Sequence, residues 1–139
     1  MIDKIIIILL FLYSCKTVDV PSSTSCNIDS LKIEIKKNWK LNTDSTFYST
    51  NDDFYISLES NFKNCIIGSS ESKIIYLFGS RFETGTVKSD STLKSFMKYY
   101  ITPPCKVQQS QCGYLIFYIG IDGKVKTFSE LFADPNIEK

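Results

Sequence analysis

Gly68-Ser69-Ser70-Glu71-Ser72-Lys73-Ile74-Ile75-Tyr76-Leu77-Phe78-Gly79 carries a full set of helix signals in twelve residues. Ser70 suits the cap, where its hydroxyl can accept from a free N–H of the first turn, and Glu71 follows at the positive end of the helix dipole. Ile74, Ile75, Leu77 and Phe78 supply an apolar face, and Gly79 is the residue type that tolerates the turn past a helix end. The segment predicts a short helix over 71–78.

On its N-terminal side, Phe54, Leu58 and Phe62 fall on one helical stripe with Tyr55 beside them, predicting a helix over 52–64 with Asp52 and Asp53 in its first turn. Earlier still, Leu31, Ile35 and Trp39 recur every four residues. Leu31, Ile33 and Ile35 also alternate with Lys32, Glu34 and Lys36, so periodicity fits helix and strand alike. Length and good helix formers favour a helix from Ile28 to Trp39, capped by Asp29 or Ser30, with a polar stretch following from Asn42 to Asn51.

On its C-terminal side the period changes. Thr92 to Thr102 is rich in aromatic and β-favouring residues and ends at Pro103-Pro104. Gly113 to Gly120 and Lys124 to Phe128 flank Ile121-Asp122-Gly123 and read as a hairpin. A two-residue Asp122-Gly123 loop would place Lys126 opposite Ile119. A three-residue loop with Gly123 left-handed places Val125 opposite Ile119 and Lys126 opposite Tyr118, and this register is the one expected. It assigns Leu115, Phe117, Ile119, Val125 and Thr127 to the core face, and Tyr114, Ile116, Tyr118, Lys126 and Phe128 to the other. The fold class expected is α+β: two layers, helices packed on one face of a three-stranded antiparallel sheet, in the order α-α-β-β-β.

Gly68, Ser70, Ile74, Phe78 and Gly79 occupy the pattern of Gly, Ser/Thr cap, Val/Ile, Leu and Gly that marks the helix of the SmpA/OmlA (BamE-like) outer-membrane lipoprotein domain, which this segment resembles. Arg81 stands where that family usually has Pro, Phe78 where it has Leu, and Ser69 where Met is common. The resemblance extends, by order of elements and a Gly-Lys-Val turn exit, over residues 52–129. It implies a role in outer-membrane assembly or envelope integrity, exerted through contact with proteins or lipid and without chemistry of its own.

Composition narrows the alternatives. The 139 residues suit one domain, with 43% hydrophobic, 22% charged and 14% aromatic residues. Sixteen Lys and Arg against fifteen Asp and Glu leave a formal +1, which gives no field to gather nucleic acid. Histidine is absent, removing Ser/His and Cys/His nucleophile pairs and every His-containing zinc site. Each remaining acid has a structural account: Asp52 and Asp53 as neighbours that point apart on a helix, Glu71 at a helix start, Asp122 in a turn. No enzyme activity, catalytic residue, metal site or cofactor is expected.

Ile5 to Leu12 is an unbroken apolar run of eight residues that ends in Leu12-Tyr13-Ser14-Cys15. As a helix it would cover about 12 Å, far short of a bilayer's roughly 30 Å hydrocarbon core, and so it fits the h-region of a signal peptide. Leu12 to Cys15 resembles the bacterial lipobox. That implies a signal peptide over 1–14, lipidation of Cys15 (diacylglyceryl and an amide-linked acyl chain such as palmitate), and a membrane partner reached through this anchor. Residues 15–27 read as a flexible tether that is not polybasic, and 28–139 as the single folded domain. Lys16 carries no acidic retention signal, so the expected location is the cell envelope, lipid-anchored, with the outer membrane favoured.

Cys26, Cys65, Cys105 and Cys112 remain, an even number in a small exported domain, where disulfides are the default. No Cys-x-x-Cys knuckle among them suggests zinc. Cys105 and Cys112 enclose a polar loop between strands and would pin its ends. Elimination then pairs Cys26 with Cys65, the alternative being two buried thiols.

Helices on one side of a three-stranded sheet leave Tyr100, Tyr114, Ile116, Tyr118 and Phe128 on its other face. Such a patch suggests a partner-binding surface, unless the first helix folds back over it. Two functions follow: a membrane-anchored, non-catalytic protein-interaction module, or a ligand-binding or inhibitor-type lipoprotein.

Overall fold

A computed structural model describes residues 25–103 and 112–133. Four helices, α1 (Ile28–Asn38), α2 (Phe54–Asn61), α3 (Lys63–Ile66) and α4 (Glu71–Phe78), pack on one face of an antiparallel sheet of order β3-β4-β5-β6. Its strands are β3 (Glu83–Thr86), β4 (Leu93–Tyr100), β5 (Cys112–Gly120) and β6 (Val125–Ala133); a separate small ladder joins β1 (Lys40–Leu41) to β2 (Tyr48–Ser49). The fold is α+β with helices on one face, as expected. The expected three-stranded sheet and α-α-β-β-β order are corrected: the sheet has a fourth strand, β3, and the small ladder stands apart from it. Neither is visible as a pattern, because Glu-Thr-Gly-Thr in β3 has no apolar residue to bury and two-residue strands have no period.

The local signals at α4 hold. The Ser70 hydroxyl accepts from the Lys73 N–H at 3.2 Å, Glu71 opens the helix, and Gly79 ends it at φ 98°. The first segment is a helix, but its cap is Asn27, whose side chain accepts from the Ser30 N–H at 3.0 Å, and not Asp29 or Ser30. The expected 52–64 helix is broken at Phe62 into α2 and α3, and Asp52 and Asp53 stand ahead of α2, outside its first turn. Cys65 on α3 is joined by a disulfide to Cys26, with the Cα atoms 4.8 Å apart, so the start of α1 is tied to α3.

The hairpin shows how one residue redirects a strand. Gly123 takes φ 75°, a left-handed conformation that glycine adopts freely, and Val125 pairs with Ile119 as expected. Tyr118, however, pairs with Thr127 and leaves Lys126 as the extra residue of a β-bulge. A bulge inverts the alternation beyond it. Phe128 therefore faces the helices and is only 4% exposed, whereas Thr127 is exposed; both face assignments are corrected. The N-terminal end of β6 is bonded on its other side as well. Gly68 N–H donates to the Val125 carbonyl at 2.8 Å, Val125 N–H donates to the Ser69 carbonyl at 2.9 Å, and Ser70 bridges to Lys124.

Between the layers lies an aromatic core. Trp39 stacks on Tyr48 at 4.4 Å between ring centroids, and Phe78, Tyr99 and Phe117 meet edge-on or tilted at 4.9 to 6.2 Å. Such pairs add about 0.5 to 1.5 kcal/mol each beyond area burial. Two of these side chains also satisfy carbonyls at the end of α4, where the helix has no partners of its own. Trp39 Nε1–H donates to the Phe78 carbonyl at 2.7 Å, and the Tyr99 hydroxyl donates to the Gly79 carbonyl at 2.8 Å. Burial holds the Tyr99 hydroxyl far above its ordinary pKa, with Tyr48 adding to the effect.

Candidate functional site

The sheet face turned away from the helices is built as three transverse rows. In register, Gly85, Phe96, Tyr118 and Thr127 form one row, Glu83, Lys98, Ile116 and Ser129 the next, and Tyr100, Tyr114 and Leu131 the third. Paired residues of an antiparallel sheet share a face, so the strands dictate this surface directly. The first row shows why a glycine sits in β3: a Cβ at Gly85 would collide with the Phe96 ring, which lies across it.

Lys98 is central. Its ammonium stands 4.7 Å from the centroid of Tyr114 and 5.5 Å from that of Tyr100, and its Nζ is 3.5 Å from Glu83 Oε2. The Tyr100 hydroxyl donates to the same carboxylate oxygen at 3.2 Å. The Lys98 side chain is only 15% exposed, so each ring–cation contact falls between the roughly 0.5 kcal/mol of exposed sites and the roughly 2 of desolvated ones. Beside it opens a groove of about 380 Å³, walled at one end by Thr86 to Ser89 and floored by Phe96, Ile116, Tyr118 and Leu131.

Of the five expected partner-binding residues, Tyr100, Tyr114, Ile116 and Tyr118 are together on this face, with Tyr114 and Ile116 largely covered and Tyr100 and Tyr118 half-buried. Phe128 is not among them; it packs against Phe117 at 5.9 Å in the core. Sequence reasoning missed Phe96, Lys98 and Leu131. The first two were legible, since they alternate with the buried Met97 and Tyr99, but Leu131 depends on the bulge. The first helix does not fold back over this surface: Leu31, Ile35 and Trp39 belong to the core on the opposite side.

Cys112 is disulfide-bonded, and its expected partner Cys105 lies outside the described residues, as does the expected lipid site Cys15. Among the described residues no three His, Cys, Asp or Glu come together to hold a metal ion, and no helix is long and apolar enough to cross a membrane. Asp122 is engaged in its turn: Lys126 Nζ is 2.6 Å away and the Lys124 N–H donates to it at 3.2 Å, which lowers its pKa. Glu130 points to the helix side, where burial and then the charge of Asp52 raise its pKa. The residues lining the groove carry hydroxyls, rings, aliphatic groups and, at Lys88 and Lys98, amines. Comparison with protein families, curated proteins and solved structures finds no match to this chain.

Proposed function

We propose that this chain is an envelope lipoprotein, anchored through acylated Cys15, that acts without chemistry of its own by holding a protein partner in the groove of the open sheet face. One observation carries the binding reading: on the sheet face turned away from the helices, Phe96, Ile116, Tyr118 and Leu131 line a groove beside the partly desolvated Lys98. Surfaces of this composition, rich in Tyr and Phe with one partly desolvated cation, match the centres of protein interfaces. The lipobox-like Leu12 to Cys15, the apolar run before it and the Cys26–Cys65 disulfide support an exported location. The BamE-like pattern over 52–129 favours a role in outer-membrane assembly or integrity. The groove's volume, near 380 Å³, also falls in the range of small-ligand sites and favours ligand binding as the second reading.

A photo-crosslinking residue placed at Phe96 or Tyr118 in native envelopes tests the choice. A reproducible protein adduct from these positions, absent from a control at Ile56 on the helical side, is the expected result. A labelled small molecule with no protein adduct would move the assignment to the ligand reading, and no position-specific adduct at all would remove this face as the site. The mass of the native chain and its fractionation test the anchor separately.

A further inference from the structure

The outward side of α1 and α4 has a second unusual surface. With Leu31 and Ile35 turned into the core, the 100° step of the helix places Lys32, Ile33, Lys36 and Lys37 outside, and all four are exposed. Ile33 is 68% exposed and Tyr76 of α4 73%, and Lys32 Nζ lies 5.5 Å from the centroid of the Tyr76 ring. A shallow groove of about 320 Å³ between the helices is lined by Lys32, Lys36 and Tyr76 over Ile35 and Leu77. Three acids flank the lysines: Asp29, exposed one turn ahead of Lys32 and Ile33, Glu71 at the start of α4, and Glu34, which is turned to Asn38 and accepts from its Nδ2–H at 2.9 Å.

We infer that this face rests on an anionic phospholipid bilayer. Lysines whose stems lie along apolar surface, with a tyrosine and an isoleucine between them, are the side chains that partition to the headgroup boundary: the ammonium groups meet phosphate and the apolar parts leave water. The position of the tether agrees, in a step that rests on the acylation of Cys15 proposed above. The Cys26–Cys65 disulfide fixes the point where the folded domain begins on the helical layer, beside α1. An anchored domain then meets the bilayer at high effective concentration, so a weak patch suffices. The sheet lies on the far side of the helices, and its groove is presented away from the membrane.

Full-length chain carrying Cys15→Ser, which cannot be acylated at that position, tests the surface alone. It is sedimented with vesicles of phosphatidylcholine and with vesicles in which part of that lipid is replaced by phosphatidylglycerol. Binding to the anionic vesicles at low salt, loss at high salt, and roughly hundredfold weaker binding after K32Q, K36Q and K37Q together are expected, at about fivefold per lysine. Lys124→Gln, on the hairpin turn, leaves binding unchanged. Ile5 to Leu12 is common to every variant, so its own affinity for lipid cancels in the comparison. Equal binding by the triple variant, equal binding to both lipids, no binding, or capture by polyglutamate but not by vesicles overturns the proposal; the last would assign the face to an acidic protein. An unacylated native chain that still shows the lysine effect would remove the anchor and leave this surface standing.

Discussion

The two faces of one sheet use the same residue types to different ends. On β5, Leu115, Phe117 and Ile119 lie beneath the helices and join the core, while Ile116 and Tyr118 alternate with them and line the groove. Aromatic content therefore does not distinguish the core face from the groove face here. What distinguishes them is whether the side chain joins the core shared with the helices.

That contrast can be broken most directly at neighbouring residues. Phe117→Ala removes a fully buried ring in contact with Phe78, Tyr99 and Phe128, and should cost about 3 to 5 kcal/mol in urea unfolding. Tyr118→Ala should stay within about 1 kcal/mol and instead abolish crosslinking through the groove. Equal losses of stability would end the distinction. Next in size is the staple of the covering layer. Replacing Cys26 and Cys65 by Ala should lower stability by about 2 to 4 kcal/mol, measured by thermal unfolding, and leave groove crosslinking intact in the folded protein.

Tyr99 offers a finer probe of the covered face. Tyr99→Phe keeps the ring and leaves the Gly79 carbonyl without its donor, a change expected to cost about 1 to 3 kcal/mol. The same hydroxyl sets the alkaline limit. Its folded pKa is raised above the unfolded value near 10, so its contribution is complete below that pH and is lost as the pH rises beyond it. A stability profile that stays flat well above pH 10 would contradict this. The smallest effect is expected at Glu130, whose pKa in the fold is raised by burial and by Asp52. Folding opposes its ionisation, so Glu130→Gln should stabilise the protein slightly at neutral pH. The gain should vanish once the pH falls below the carboxyl's unfolded pKa, as two denaturation curves would show.

Where sequence signals were local, the chain was readable. Ser70 and Gly79 bracket α4 as expected, Gly123 takes its left-handed turn, and Cys26 is bonded to Cys65, the pair expected once Cys105 and Cys112 are set aside. Where the deciding contact is distant, reading failed. Lys126 becomes a bulge because both of its neighbours are claimed, Val125 by Ile119 and Ser69, and Thr127 by Tyr118; that single slip sent Phe128 inward and brought Leu131 to the groove. Among the described residues β3 pairs with β4 at the edge of the sheet, and its exposed Thr and Glu residues carry no pattern of their own. Four of the five expected site residues were legible because they sit before the bulge, and the fifth failed because it lies after it.

The hydrogen bond from the Val125 N–H to the Ser69 carbonyl joins positions 56 apart. Such a closure cannot form until the final hairpin has been synthesised, so a nascent chain stalled near Gly120 would hold its helices without the clasp that seals them to the sheet. Ribosome-stalled intermediates should therefore be open to protease until the last strands emerge.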